Sequence, residues 1–195
     1  DLSNPATPTV LGELEIPGFS TYMHPLDADH LLTIGTDVDP MTNQTLGLAL
    51  QIFDVSVPTA PTLAHKTVIG SASSLAQYDH KAFVFDAETG ILAIPVESYG
   101  VGFRSGIELY DVSVSSGISS RGAVEHTIFY DDCNDSSGSV FPIYECSYPS
   151  TMRRGLFIGD HVYAISHRAV TTHPVSDLAT TTDTYVLPMP TFTYD

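Results

Sequence analysis

The chain has 195 residues, enough for a domain with a buried core, and its 23 Asp and Glu against 7 Lys and Arg give a formal net charge of −16 at pH 7. So acidic a chain repels phosphate groups, which excludes nucleic acids and anionic membrane surfaces as partners and favours solubility in a salty or extracellular medium. No apolar run reaches the roughly 18 residues that a membrane span requires.

The residue types favour strands over helices. Thr, Ser, Val, Gly and Pro are plentiful, and ten Tyr and nine Phe occur beside no Trp. β-branched and aromatic residues suit pleated, half-buried strands, and no long stretch alternates Ala, Glu, Lys and Leu as helices do. The composition therefore predicts an all-β fold.

The first residues belong to an internal repeat. The stretch "DLSNPATPTV" at the start returns as "DVSVPTAPTL" from position 54, and related steps follow as "DVSVSS" from 111 and "PVSDLA" from 174. Asp and Ser side chains can bond the backbone of a turn, and Pro cannot continue a strand ladder. Each step therefore predicts the end of one strand and the turn into the next.

Three further strand candidates accompany each complete repeat. The apolar stretches "HLLTIG", "GILAIP" and "HVYAIS" each follow a turn signal. Before those turns lie "YMHPLD", "KAFVFD" and "RRGLFI", and after the apolar stretches come "LGLALQIFDVS", "SGIELYDVSVS" and "AVTTHPVS". With the strand beyond the D-V-S step, each repeat has four strands in about 40 to 60 residues, which is typical of β-propeller blades.

The repeats predict a fragment of a β-propeller with about three four-stranded blades. We expect 1–18 to be the outer strand of a preceding blade, 19–70, 71–128 and 151–190 to be blades, 129–150 to be an acidic cysteine-containing insertion, and 191–195 to be a tail. An open arc leaves an apolar sheet face at each end. We expect other blades, from the same polypeptide or another chain, to complete the ring; the alternative is a small β-sandwich that folds alone or dimerises edge to edge.

The strand motifs carry a family likeness. In order, "YMHPLDADHLLTIG", "LGLALQIFDVSVPTAP", "YDHKAFVFD", "GILAIPV" and "RRGLFIGDHVYAIS" resemble a family of secreted bacterial and archaeal proteins with a C-terminal β-propeller domain distantly related to WD-40 repeats. The resemblance covers most of residues 1–178. It implies a propeller fold and export, and it implies no particular activity.

The two cysteines lie in one polar loop. Cys133 and Cys146 have no CxxC spacing and no nearby histidine of the metal-binding kind. A disulfide stabilises a long loop most, because it restricts the unfolded chain, and it persists only in an oxidising compartment. We therefore expect a disulfide and a secreted, extracellular or periplasmic location. Two free thiols are the alternative.

Two histidines and an arginine are candidate ligand-binding residues. His24 and His80 each fall near the start of an expected innermost strand, where imidazoles of neighbouring blades could meet at the channel mouth. The alternative is that each histidine only fixes its own loop. Arg154 follows Arg153, and because neighbours in a strand point to opposite faces, only one can face the channel and bind an anion. The alternative for Arg154 is an ion pair with a carboxylate of the same fold.

Two loops are rich in oxygen ligands. One presents Asp37, Asp39 and Asn43, and the other presents Asp131, Asp132 and Asp135. Calcium takes six to eight oxygen ligands, so calcium is the candidate cofactor of these loops. Neither loop has the register of an EF-hand, and the alternative is a solvated turn in which Asp caps backbone amides.

The sequence contains no G-x-S-x-G, no H-E-x-x-H, no Walker loop and no H-R-D with D-F-G. We therefore expect an exported, non-enzymatic binding or assembly scaffold that forms part of a larger propeller. The alternative is an enzyme domain with a metal or substrate site at the channel mouth, near His24 and His80.

Overall fold

The computed structural model describes residues 1–99, 103–126, 129 and 151–188. These residues form thirteen β-strands and two 3-10 helices, and no α-helix occurs among them. The strands make three sheets, which confirms the predicted all-β architecture of a β-propeller fragment. No helix within this part of the chain is long and apolar enough to cross a membrane.

Sheet 1 is a four-stranded meander in which each strand pairs antiparallel with the next. Its strands are β1 (Phe19–Pro25), β2 (His30–Val38), β3 (Thr45–Asp54) and β4 (Thr62–Gly70). The two edge strands alternate between exposed and partly buried residues, whereas the central strands are apolar in continuous runs. The fully buried apolar side chains are accordingly central: Leu32, Ile34, Leu48, Leu50 and Ile52.

Sheet 2 has an inner edge made of two short pieces. Its strands are β5 (Ala72–Ser73), β6 (Val84–Asp86), β7 (Ile91–Ser98), β8 (Arg104–Ser113) and β9 (Gly117–Glu125). The order is β5-β7-β8-β9, and β6 also pairs with β7. Two separate segments therefore share the place that one strand occupies in sheet 1.

The strand predicted at "KAFVFD" is shorter than expected, because Lys81 and Ala82 lie in a 3-10 helix (His80–Ala82). A second 3-10 helix (Leu75–Gln77) precedes it. The Ser74 Oγ accepts the backbone N–H of Ala76 at 3.1 Å, and the Asp79 carboxylate accepts that of Lys81 at 2.9 Å. These caps satisfy backbone groups locally, so the segment does not need a strand partner there.

Sheet 3 repeats the plan of sheet 1. Its strands are β10 (Met152–Ile158), β11 (His161–Ser166), β12 (Ala169–Pro174) and β13 (Asp183–Val186), each antiparallel to the next. Successive residues of β11 and β12 alternate between fully and partly buried. One face of sheet 3 is thus covered completely and the other only in part.

The first strands of sheets 1 and 3 carry β-bulges at matching places. The register shifts between Ser20 and Tyr22 in β1, and between Met152 and Arg154 in β10. Arg153 is therefore an extra residue, and the simple alternation predicted for Arg153 and Arg154 does not hold there.

The described residues divide into two compact units. Unit 1 comprises 1–72 and 111–119, and unit 2 comprises 73–110 with the described residues from 120 onward. In unit 1, His65 Nε2 donates to the Val114 carbonyl oxygen at 2.8 Å and Thr67 Oγ1 donates to that of Ile118 at 3.0 Å. The turn between β8 and β9 is thereby fixed on β4.

The core of unit 2 lies between sheets 2 and 3. Ile107 and Leu109 from β8 belong to one buried cluster with Val162 and Ala164 from β11. A Cβ added at Gly155 would lie only 2.9 Å from a methyl of Ile107, so the two sheets approach as closely as a glycine allows. Close face-to-face packing of two sheets is what the propeller prediction requires of neighbouring blades.

Candidate functional site

His24 lies in β1 of unit 1, opposite Leu32 of β2. Its Nδ1 is 3.4 Å from the Tyr22 hydroxyl, and the two ring centroids are 6.4 Å apart. Burial lowers the pKa of His24, because the charged imidazolium loses water that the protein does not fully replace.

His80 is the first residue of its 3-10 helix and is exposed in unit 2. His24 and His80 thus belong to different units, and neither has a position equivalent to the other in its sheet. A metal or substrate site shared by the two histidines stays a prediction.

Arg154 lies in β10 opposite Ile165, on the partly covered face of sheet 3. Its neighbour Arg153 is close to His167, whose pKa is lowered by burial and then by the positive charge of Arg153. This end of sheet 3 is therefore locally cationic in a very acidic chain. An anion bound by Arg154 stays a prediction.

The three residues of the first predicted calcium loop have separate interactions in the structure. Asp37 is buried in β2 and forms an ion pair with Lys66. The Asp39 carboxylate accepts the backbone N–H groups of Met41 and Thr42 at 2.7 and 3.1 Å, and Asn43 has a φ of 55° in the same turn. Asp39 thus has the geometry of the alternative interpretation, in which an Asp side chain caps the backbone amides of a turn.

The remaining predicted site residues are Asp131, Asp132, Cys133, Asp135 and Cys146, which lie outside the described residues. Over the ranges that are described, no three His, Cys, Asp or Glu side chains are placed to hold a metal ion together. Calcium and the disulfide therefore remain predictions.

A buried histidine network in unit 2 was missed by the sequence reasoning. His126 is 1% exposed, with Nδ1 2.8 Å from Ser166 Oγ and Nε2 2.8 Å from Thr171 Oγ1. Thr171 Oγ1 is also 2.8 Å from Nε2 of His173, whose buried Nδ1 has no hydrogen-bond partner within the described residues. The one signal in the sequence is that His126 follows the buried Val124 of β9 by two residues, which in an extended chain places both side chains on one side.

The imidazole of His126 is held neutral. Burial lowers the pKa of His126 to about 4, and the neighbouring His173 contributes in the same direction. Its two partners are hydroxyl groups, which carry no charge to stabilise an imidazolium. The network thus joins sheets 2 and 3 through neutral hydrogen bonds in a closed interface.

An apolar cleft of about 500 Å³ opens on one face of sheet 1 in unit 1. It lies between the segment 14–16 and the first three strands of the sheet. Phe19 and Met23 line it, and each is 57% exposed. Leu31 and Phe53, which face each other across β2 and β3, form its floor and are only partly buried.

The matching face of sheet 3 is closed. Leu31 and Val162 are each the second residue of the second strand in their sheets, and both pair with the third strand. Val162 is fully buried in the cluster that sheet 2 completes, whereas Leu31 faces the cleft. The cleft in unit 1 therefore occupies the place that a neighbouring sheet fills in unit 2.

The segment 10–16 stands beside sheet 1 as β9 stands beside sheet 3. Gly12 and Gly122 occupy equal positions after the D-x-S steps at 1 and 111. A Cβ on Gly12 would lie 2.3 Å from the Pro58 carbonyl oxygen, and one on Gly122 would lie 3.2 Å from Leu178 Cδ1. Pro58 and Leu178 also occupy equal positions after their own steps. Equivalent positions of the repeat thus lie close together in both units.

Comparison with known proteins is consistent with this arrangement. The family model described as "Beta propeller domain" matches residues 1–178. An uncharacterized protein of Archaeoglobus fulgidus is 32% identical over 111 residues, which are 56% of this chain and 17% of the relative. An uncharacterized protein of Methanocaldococcus jannaschii is 35% identical over 104 residues, which are 53% of this chain and 16% of the relative. The matched part is thus about a sixth of the length of these curated relatives.

Proposed function

Because the chain belongs to the β-propeller domain family, we propose that it serves as an assembly scaffold whose open sheet faces bind further blades of a larger ring. The chain matches only part of much longer relatives, and a ring needs more blades than three. In this proposal, the apolar cleft of unit 1 is one of the faces to which a further blade binds.

One observation carries the proposal: a face that sheet 2 closes in unit 2 is only partly covered in unit 1. Sheet 2 buries Val162 and Ala164 of sheet 3 completely. The equivalent face of sheet 1 leaves Met23 more than half exposed beside the half-buried Leu31. Soluble proteins seldom leave contiguous apolar faces uncovered unless a partner binds there.

The backbone of the segment 10–16 supports a β-sheet as the partner. No residue of this segment makes a hydrogen bond within the described part of the chain. Val10 is 88% exposed, although its place in the repeat matches a strand residue of β4. An extended segment with unpaired N–H and C=O groups favours the addition of a strand along its edge.

The binding energy would come mainly from apolar surface. Burying a fully exposed Phe or Met side chain stabilises by roughly 1.5–3 kcal/mol, so Phe19 and Met23, each about half exposed, would add roughly 1 kcal/mol apiece. Backbone pairing along 10–16 would fix the register of the added sheet.

Methionine oxidation tests the proposal without any substitution. We expect peroxide to oxidise Met23 readily in the isolated chain, and to oxidise it much more slowly in the complete ring, where a sheet covers the cleft. Mass spectrometry of peptides from the two preparations measures the rates.

Two other methionines serve as internal controls. Met41 is 89% exposed in the turn between β2 and β3 and should react in both preparations, whereas Met152 is 1% exposed and should resist oxidation in both. Equal rates for Met23 and Met41 in the complete ring would contradict a blade seated on this cleft.

We further propose that the protein is exported and that Cys133 and Cys146 are joined. The net charge of −16 and the two cysteines of one polar loop support this proposal. A thiol count on unfolded, unreduced protein tests it: no reactive thiol is expected, and two reactive thiols would reject the disulfide.

A further inference from the structure

The turn between β2 and β3 is an exposed part of unit 1 that lies outside the apolar cleft. Residues 40–46 are all exposed, and none of them lines the cleft. The backbone closes the turn by itself: the Asp39 N–H donates to the Gln44 carbonyl oxygen at 2.9 Å, and the Asn43 N–H donates to that of Asp39 at 2.9 Å. The turn therefore has a defined shape at the protein surface.

This turn contains an acceptor sequence for an N-linked glycan. Asn43, Gln44 and Thr45 match the pattern Asn-X-Thr, in which X is any residue except Pro. The other match in the chain, at Asn134, lies outside the described residues. Asn4 is the third asparagine, and because Pro and Ala follow it, it does not fit the pattern.

The two side chains that a glycosylating enzyme recognises are both available. Within the described residues, neither the Asn43 carboxamide nor the Thr45 hydroxyl makes a hydrogen bond, because the backbone and the Asp39 carboxylate hold the turn. Asn43 has a φ of 55°, which asparagine tolerates better than most residues with a side chain. This conformation accounts for an asparagine at position 43, but not for a hydroxyl group two residues later.

The surroundings give a polar glycan something to shield. Met41 is 89% exposed and Leu46 is 45% exposed, so two apolar side chains of the same turn are in contact with water. A glycan is bulky and solubilising, and it would cover this apolar surface. Because the turn does not line the cleft, a glycan there is compatible with a blade bound to the cleft.

We infer that Asn43 is a site of N-glycosylation, with a lipid-linked oligosaccharide phosphate as the sugar donor. Nδ2 of Asn43 attacks C1 of the first sugar, so that the N–C1 bond forms, the C1–O bond breaks and the lipid phosphate leaves with the electron pair. The Nδ2 proton passes to a base of the transferase, which recognises the site by the Thr45 hydroxyl. The inference rests on the proposed export, because N-glycans belong to surface loops of secreted proteins.

Peptide mapping of the protein from the cells that make it tests the inference. Endoproteinase Asp-N cuts before Asp39 and Asp54 and releases the peptide 39–53, in which Asn43 is the single asparagine. We expect most copies in the exported fraction to carry a glycan on this peptide. Asn4 is also exposed and serves as an internal control that should stay unmodified.

The same map separates failure of the inference from failure of the proposed export. Exported protein in which the peptide 39–53 is unmodified would reject glycosylation of Asn43 and leave the export proposal intact. Protein found only in the cytoplasm would reject the export proposal and the glycan together.

A second measurement tests the folded turn itself. The purified 195-residue chain and the free peptide 39–53 are each offered to an oligosaccharyltransferase with a lipid-linked oligosaccharide. Because the turn is exposed in the folded chain, we expect both to be modified at comparable rates. Modification of the free peptide alone would show that the fold hides Asn43, and the inference would be wrong.

Substitutions assign the two groups in both measurements. Asn43→Gln and Thr45→Val should each abolish the modification, whereas Thr45→Ser should retain it because the hydroxyl remains. Thr45→Val keeps Asn43 in its turn and keeps a β-branched residue at the start of β3, so the fold should be unchanged. Thr42→Val is the matched control, since Thr42 is an exposed threonine of the same turn that precedes Asn43. Equal modification of Thr45→Val and the wild type would contradict the inference.

Discussion

Single residues decide how sheets 2 and 3 hold together in unit 2. His126 brings an ionisable ring into a closed interface where its partners are the hydroxyls of Ser166 and Thr171. A protonated imidazole must donate from both nitrogens, and it would carry a charge beside His173 with no carboxylate among the partners given by the structure. The contact is therefore stable only when His126 is neutral.

We predict that acid weakens the fold through His126. Its native pKa of about 4 lies below the unfolded value of about 6.5, so the unfolded chain binds more protons between these values. The stabilisation is complete above pH 6.5 and declines as the pH falls toward 4, by up to about 3 kcal/mol. Urea unfolding at several pH values measures the decline.

His126→Gln isolates this contribution, because a glutamine amide can bond both hydroxyls and does not titrate. The variant should lose less stability than the wild type between pH 7 and 4, and the difference between the two should be constant above pH 7. Parallel stability curves down to pH 4 would show that His126 titrates alike in both states.

At the scale of elements, the bulge of β1 depends on a glycine in β2. Gly35 faces Ser20, and a Cβ on Gly35 would lie 2.0 Å from the Phe19 carbonyl oxygen. The obstructing atom belongs to the backbone of β1, which cannot change its position by a rotamer change as a flexible side chain can. The inner edge of sheet 1 thus needs a residue without a side chain at this position.

Gly35→Ala should destabilise the chain by about 2–3 kcal/mol, because the added methyl group forces β1 away from β2. Gly70→Ala is the matched control, since its nearest obstruction is 4.0 Å away and it lies at the end of β4. Denaturant unfolding measures both. A Gly35→Ala protein as stable as the control would show that β1 shifts freely.

At the scale of the whole molecule, the cleft of unit 1 contains apolar surface that folding of the isolated chain leaves exposed and that assembly would bury. Phe19 and Met23 are each more than half exposed in unit 1, so the isolated chain gains less than half of the free energy that their full burial would contribute. A sheet seated on the cleft would bury both side chains. These two residues are therefore expected to stabilise the assembled ring beyond what they already contribute to the isolated chain.

The double substitution Phe19→Ser and Met23→Ser should lower the unfolding free energy of the isolated chain by about 1–3 kcal/mol, for the part of each side chain that is already buried, and weaken assembly at least about tenfold. Met41→Ser should change neither quantity, because Met41 lies on the exposed turn outside the cleft. Denaturant unfolding and sedimentation of the assembled ring provide the two measurements. Unchanged assembly by the double variant would reject the cleft as the docking face.

Much of the fold could be predicted because its signals are local. Apolar runs such as "HLLTIG" and "HVYAIS", bounded by turn residues, specify strands β2 and β11 within a few residues, and their recurrence specifies blades. The candidate site was less predictable. The pairing of Asp37 with Lys66, a residue of another strand, could not be predicted from the sequence.

The sequence by itself determined an all-β repeat of four-stranded sheets. Each strand and turn is specified by neighbouring residues, and the repeat is visible because the same short pattern recurs along the chain. Only the tertiary structure decided that Arg153 lies in a bulge, that His126 is sealed between two sheets, and which faces are closed or open. These outcomes depend on residues far apart in the chain that meet only after the sheets have packed, so no local pattern can specify them.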